Sequence, residues 1–144
     1  MSKYEGRDYI WVVWRDSVSS QRYIIGEISK NGQYEFKYRI NQVDEARQKG
    51  FENLVAFPDL NKLYTNKELF PAFSSRLPDK RRRDIKEILS KYNLDQYDSF
   101  ELLKRSGGKL PTDSFEFVDP IILGENEVIN GFFNHNTQPP RASI

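Results

Sequence analysis

DYIWVVWRDSVSSQRYIIGEISKNGQYEFKYRI, residues Asp8 to Ile40, reads as three consecutive strands. Its first segment, Asp8–Asp16, is apolar on both alternating faces. Tyr9, Trp11 and Val13 lie on one, and Ile10, Val12 and Trp14 on the other. A strand of that kind belongs inside a sheet that is covered above and below. Spacing also puts Trp11 and Trp14 on opposite faces, so both read as core residues rather than as one exposed anchor. Ser17–Gln21 is a polar turn. Arg22–Ser29 is a second strand, whose Gly26 marks a bulge or the close approach of another backbone. Lys30-Asn31-Gly32 holds the Asn-Gly pair that most strongly signals a hairpin. In the third strand Tyr34, Phe36, Tyr38 and Ile40 alternate with Gln33, Glu35, Lys37 and Arg39, so one face is buried and the other meets water.

Beyond this meander the periodicity becomes helical. Asn41 caps a helix that carries Asp44 and Glu45 in its first turn and stops at Gly50. Phe51–Tyr64 reads as a strand plus a turn around Pro58, and Asn66–Arg76 as a short helix with Pro71 near its start. Ile85, Ile88, Leu89 and Tyr92 recur at helical spacing, which predicts an amphipathic helix over Lys80–Tyr92. A further helix starts at Asp98, with Glu101 completing a capping box and Tyr97 stapling onto Leu102, and ends at Gly107-Gly108. Ser114–Val118 is a last strand. The expectation is a single α+β domain over residues 1–124, a small, mostly antiparallel sheet with three or four helices. Residues 125–144, rich in Asn and Pro, form a tail expected to be poorly ordered.

Composition narrows the chemistry. A chain of 144 residues suffices for one core, and its ten Phe, eight Tyr and two Trp supply much of the buried area. The absence of cysteine excludes disulfides, thiolate metal sites and Cys nucleophiles. The net charge of +1 leaves electrostatic binding to local patches. No apolar run is long enough to span a bilayer and no leader precedes the first strand, so no membrane contact and a cytoplasmic location are expected. His135 stands without a partner, and one histidine builds neither a zinc site nor a catalytic triad. The carboxylates Asp79, Asp84, Glu87, Asp95, Asp98, Asp113, Glu116 and Asp119 admit an acidic hydrolase on residue type alone. Several of them already read as caps, turn formers or ion-pair partners. No catalytic residue, metal ligand or cofactor is assigned, and the chain is not expected to be an enzyme.

The sharpest charged feature is Lys80-Arg81-Arg82-Arg83. At a helix N-terminus it opposes the macrodipole, a locally unfavourable choice that invites a contact with phosphates or an acidic protein face. The plainer reading is a solvated face balanced by Asp79, Asp84 and Glu87.

Taken together, these segments resemble the N-terminal subdomain of HipA-type toxin kinases and its free-standing counterpart, the small antitoxin of three-part HipBST systems. The strand pair in YIWVVWRD and RYIIGEISKNGQYEFKY resembles the family's opening hairpin. LFPAFSSRLPD (69–79) is similar to its helix ending in a Leu-Pro stop, and DSFELLKRSGGKLP (98–111) to its Asp-Pro-Phe-x-Leu-Leu stretch followed by paired small residues. Ser99 stands where the family usually has proline, and the basic run with its helix is an insertion. Similar blocks precede HIRAN domains, small β modules that bind DNA ends, and SFEFVDPI (114–121) would lead into one. The kinase body is missing, so the resemblance implies a non-catalytic module. Its partner would be a protein such as a HipA-like kinase, with DNA contact through Lys80–Arg83 as the alternative.

Overall fold

The computed structural model describes residues 8–122 and 124–129. Strands β1 (Asp8–Arg15), β2 (Arg22–Asn31) and β3 (Gln33–Tyr38) form the anticipated meander. The sheet is completed by β4 (Tyr64–Asn66) outside β3 and β5 (Phe115–Val118) outside β1, giving the order β4-β3-β2-β1-β5 with every neighbour antiparallel. Around it lie α1 (Ile40–Arg47), α2 (Pro71–Ser74), α3 (Ile85–Lys91), α4 (Ser99–Ser106) and α5 (Glu125–Ile129).

Both faces of β1 are covered. One carries the larger core, in which Ile10, Val12, Ile25, Ile28 and Phe36 meet Val43 of α1, Phe73 of α2 and Phe100 of α4. The other carries a smaller cluster of Trp11, Val13, Ile24, Val118 and Val128. Trp11 belongs to the second and Trp14 packs against the first, so the two indoles do lie on opposite faces. Phe57 is the hub of the large core, with ring centroids 4.4 Å from Phe36, 5.4 Å from Phe73 and 4.9 Å from Tyr64. Such pairs add roughly 0.5–1.5 kcal/mol each beyond the area they bury.

Gly26 serves both of its anticipated purposes. The β1–β2 register slips between Val12 and Val13, so Ile25 is the extra residue of a bulge. The N–H of neighbouring Ile24 is satisfied by Gln42 Oε1 of α1 at 3.1 Å. A Cβ at position 26 would sit 2.7 Å from Phe36 Cε1 and 3.0 Å from the Lys37 carbonyl oxygen, so it is the close packing of β3 that requires glycine beside the bulge.

Several boundaries differ from the sequence reading. Arg39, not Asn41, takes the N-cap of α1, and no side chain caps it. Residues 51–63 contain no strand, because Phe51 and Phe57 are both drawn into the core, and the segment is held by local backbone bonds (Phe51 N–H to the Ala46 carbonyl, Phe57 N–H to the Leu54 carbonyl) together with one side chain. The Tyr38 hydroxyl donates to the Phe57 carbonyl at 2.6 Å and accepts from the Leu54 N–H at 2.9 Å. The strand expected in this region lies later, at β4, where a helix was expected from Asn66. That helix shrinks to the single turn of α2, which Pro71 opens. Glu125–Ile129, assigned to the tail, forms α5 and buries Val128. The rest of that tail lies outside the described residues.

Two outward N–H groups of the C-terminal edge strand are engaged within the chain. The Phe117 N–H donates to the Gly107 carbonyl at 2.9 Å, and the Phe115 N–H to Asp113 Oδ1 at 3.2 Å. Backbone groups that an edge strand would otherwise offer to another chain are thereby used internally.

Candidate functional site

The basic run is built by the residue before it. Asp79 Oδ1 accepts the Arg81 N–H at 2.8 Å, and the Asp79 carbonyl accepts the Arg82 N–H at 3.1 Å. These bonds hold Asp79–Asp84 as turns, which compete with the helix that would otherwise begin at Lys80. None of Lys80, Arg81, Arg82 and Arg83 therefore lies in α3, which starts at Ile85, and the expected conflict with a helix macrodipole does not arise.

All four side chains are exposed, and two of them have acidic partners. Arg81 forms a two-pronged pair with Asp79, Nη2 lying 2.8 Å from Oδ2 and Nε 3.1 Å from Oδ1. Arg82 grips Asp84 in the same way, at 2.9 and 3.0 Å. The guanidinium hydrogen bonds hold both carboxyls below the usual carboxylate range, Asp79 most strongly. Four cations against two carboxylates leave the segment at +2. That is modest for a phosphate site, because affinity for nucleic acid scales with the number of phosphates neutralised.

Lys80 alone of the four lines a furrow, of about 670 Å³, between β3 and the 77–80 turn. Tyr34 and Tyr97 form its walls, and the Tyr97 hydroxyl fixes the turn by donating to the Pro78 carbonyl at 2.7 Å. The furrow continues along Tyr34, Tyr97 and Ser99 into a neighbouring depression. Together they present Lys30, Lys67 and Lys80 against Glu68, Asp79, Asp95 and Asp98. With four carboxylates against three ammonium groups, the furrow carries mixed charge and no net basic field.

The carboxylates that admitted an acidic hydrolase are dispersed among structural tasks. Asp98 caps α4, accepting the Glu101 N–H at 3.1 Å. Asp113 receives both prongs of Arg76, at 2.7 and 2.8 Å, and its carboxyl is held low by that bond. Asp119 accepts the Ile121 N–H. Among the described residues no group of three or more His, Cys, Asp and Glu side chains is placed to hold a metal ion. His135 lies outside the described residues.

One charged feature escaped the sequence reading. Glu116 is only 1% exposed, with Arg22 Nη2 at 3.5 Å and Lys109 Nζ at 3.7 Å. Neither carboxylate oxygen is hydrogen-bonded among the described residues. Truncating a cation beside such a buried charge would be costly. Alternation in Phe-Glu-Phe puts Glu116 opposite the two phenylalanines, which reads as a wet face, and nothing in the sequence signals its burial.

The family model of the HipA N-terminal domain matches residues 17–111, from the β1–β2 turn to just past α4. No curated protein and no solved structure matches the chain.

Proposed function

The chain belongs to the HipA N-terminal domain family, and from that membership we propose that it is a non-catalytic protein-binding module, an antitoxin-like or accessory partner of a HipA-type kinase. The HipA N-terminal domain is itself a non-catalytic subdomain. The family match carries this reading. It takes in β2, β3, β4 and the helices α1 to α4, so the chain has the frame on which the family's subdomain is built. The mixed-charge furrow beside Tyr34 and Tyr97 fits a role in protein contact, and a cytoplasmic site of action follows from a kinase partner. No helix among the described residues is long and apolar enough to cross a membrane.

Co-expression of the tagged chain with the HipA-type kinase encoded nearest to it tests the reading. A complex that survives size-exclusion chromatography and alters the kinase's autophosphorylation supports it. Failure to co-purify with any such kinase, or the lack of a kinase gene nearby, overturns it. The nucleic-acid alternative at Lys80–Arg83 is disfavoured, since Arg81 and Arg82 are already engaged by Asp79 and Asp84. DNA binding that weakens with salt and vanishes when all four become Ala would reverse that order.

A further inference from the structure

The second face of the sheet is covered by a piece of chain that leaves it incompletely matched. α5 lies there against β2, and Val128, buried among Trp11, Val13, Ile24 and Val118, is the one wholly buried side chain it contributes. Two polar contacts hold its ends. Arg39 Nη2 pairs with Glu125 Oε1, and Gln21 Nε2 donates to the Ile129 carbonyl at 2.6 Å. A helix of five residues is too short to persist alone in water, so α5 owes its form to the sheet beneath it.

This cover leaves polar groups unmet. Arg39 Nη1 is buried and has no hydrogen-bond acceptor among the described residues, although the same guanidinium reaches Glu125. Glu116 stands opposite Val13 and so projects from the same face, where neither of its carboxylate oxygens is hydrogen-bonded among the described residues. Buried polar groups of native proteins are nearly always bonded, so each exception calls for an explanation.

We propose that this face is a helix-receiving site, held shut in cis by α5 and open to a partner's amphipathic helix when α5 lifts. The incoming helix carries a carboxylate that takes both prongs of Arg39 and, three residues on, a branched aliphatic side chain that replaces Val128. α5 supplies the template, since Glu125 and Val128 are three apart and share a helix face. The two-pronged grip that Arg81 has on Asp79 is the one that Arg39 lacks on Glu125. Arg39 also rests over the Trp11 ring at 5.8 Å, which sets its charge above the apolar floor. The site is separate from the furrow at Tyr34 and Tyr97, which α2 and α4 help to line on the other face. It rests on the reading of the chain as a protein-binding module, but its test needs no kinase.

The probe is a fluorescein-labelled peptide of residues 121–130, bridged to hold it helical, and the full chain carrying Val128→Asp is the open form. Anisotropy should report saturable binding to V128D. Binding to the parent should be weaker by about tenfold or more, because tethered α5 competes at about millimolar effective concentration. Adding Arg39→Glu to V128D should abolish capture, and a peptide carrying Glu125→Arg should restore it. Circular dichroism melts verify that the variants fold, and Val128→Ser repeats the measurement should V128D unfold. No capture by the open form, equal capture by the parent, or a charge exchange that fails to restore binding overturns the site. Because no kinase enters, that outcome is distinct from failure of the co-purification above.

Discussion

Tyr38→Phe removes one oxygen atom and tests how the long 51–63 connection is held. The Tyr38 hydroxyl is the shared partner of two backbone groups in that segment, the Phe57 carbonyl and the Leu54 N–H, and the side chain is only 5% exposed. Each net hydrogen bond is worth about 1 kcal/mol, and a polar group left buried without a partner costs about 1–3 kcal/mol. Leu54 is partly exposed and regains some water, so we expect about 2–3 kcal/mol of destabilisation. For a chain of this length that lowers Tm by roughly 6–10 °C. Urea unfolding should show a reduced midpoint with an unchanged slope, because the surface exposed on unfolding stays the same.

The pH dependence supplies a second readout of the same oxygen. Burial pushes the Tyr38 hydroxyl up from its ordinary value of 10.0 to about 12. The folded state thus keeps the proton more tightly than the unfolded one, so its contribution is complete below pH 10 and is lost as pH climbs toward 12. The stability difference between parent and Y38F should be flat from pH 7 to 10 and narrow above it, other tyrosines cancelling in the comparison. A difference under about 0.5 kcal/mol at pH 7, or one that does not narrow, would show that the hydroxyl does not staple the loop.

Three further perturbations probe other joints. Gly108→Ala places a Cβ 2.5 Å from Leu103 Cδ1 and 2.8 Å from Phe117 Cδ1 at a positive φ, and should cost about 2–4 kcal/mol in chemical denaturation, if the variant is recovered folded at all. Asp98→Ala deletes the cap of α4 and should cost about 1 kcal/mol, while Asp98→Asn should retain most of it. Asp113, held low by Arg76, stabilises the fold above the ordinary carboxylate value of 3.8 and loses that effect as pH falls through its depressed folded value. Asp113→Asn should therefore flatten part of the acid limb of a stability–pH profile, and an unchanged limb would dismiss the pair as a stabilising element.

The α+β class and the meander were legible because local rules decided them: the apolar run set β1, alternation set β3, Asn31-Gly32 set the hairpin, and the Asp98 cap set the start of α4, although the Glu101 carboxylate turns to Arg105 and Lys104 rather than completing a capping box. Legibility failed where a long-range contact overrode a local preference. Phe57 and Pro58 resembled a strand with its turn, but the pull of Phe36, Phe70 and Phe73 on the Phe57 ring shapes that segment. Asn66 looked like a helix start and is instead the last residue of β4, opposite Tyr34. At the candidate site the residue types of Lys80–Arg83 were plain, but their engagement was not. Asp79 reaches only two residues onward to fix Arg81, a short-range bond that propensity ranks below helix continuation. The burial of Glu116 depends on Arg22 from a distant strand, which no single-strand pattern encodes.

The bond from Phe117 to Gly107 has a kinetic consequence. Gly107 is the C-cap of α4, with its own N–H donated back to Leu103, so the last carbonyl of the helix and the last strand of the sheet share one junction. Fraying of α4 at its C-cap then exposes the Phe117 N–H on the outer side of β5, the strand that flanks β1 opposite β2. Helix and strand form one opening unit, so the Phe117 amide should exchange with solvent deuterium at the rate of the α4 interior rather than at the faster rate of an ordinary sheet margin.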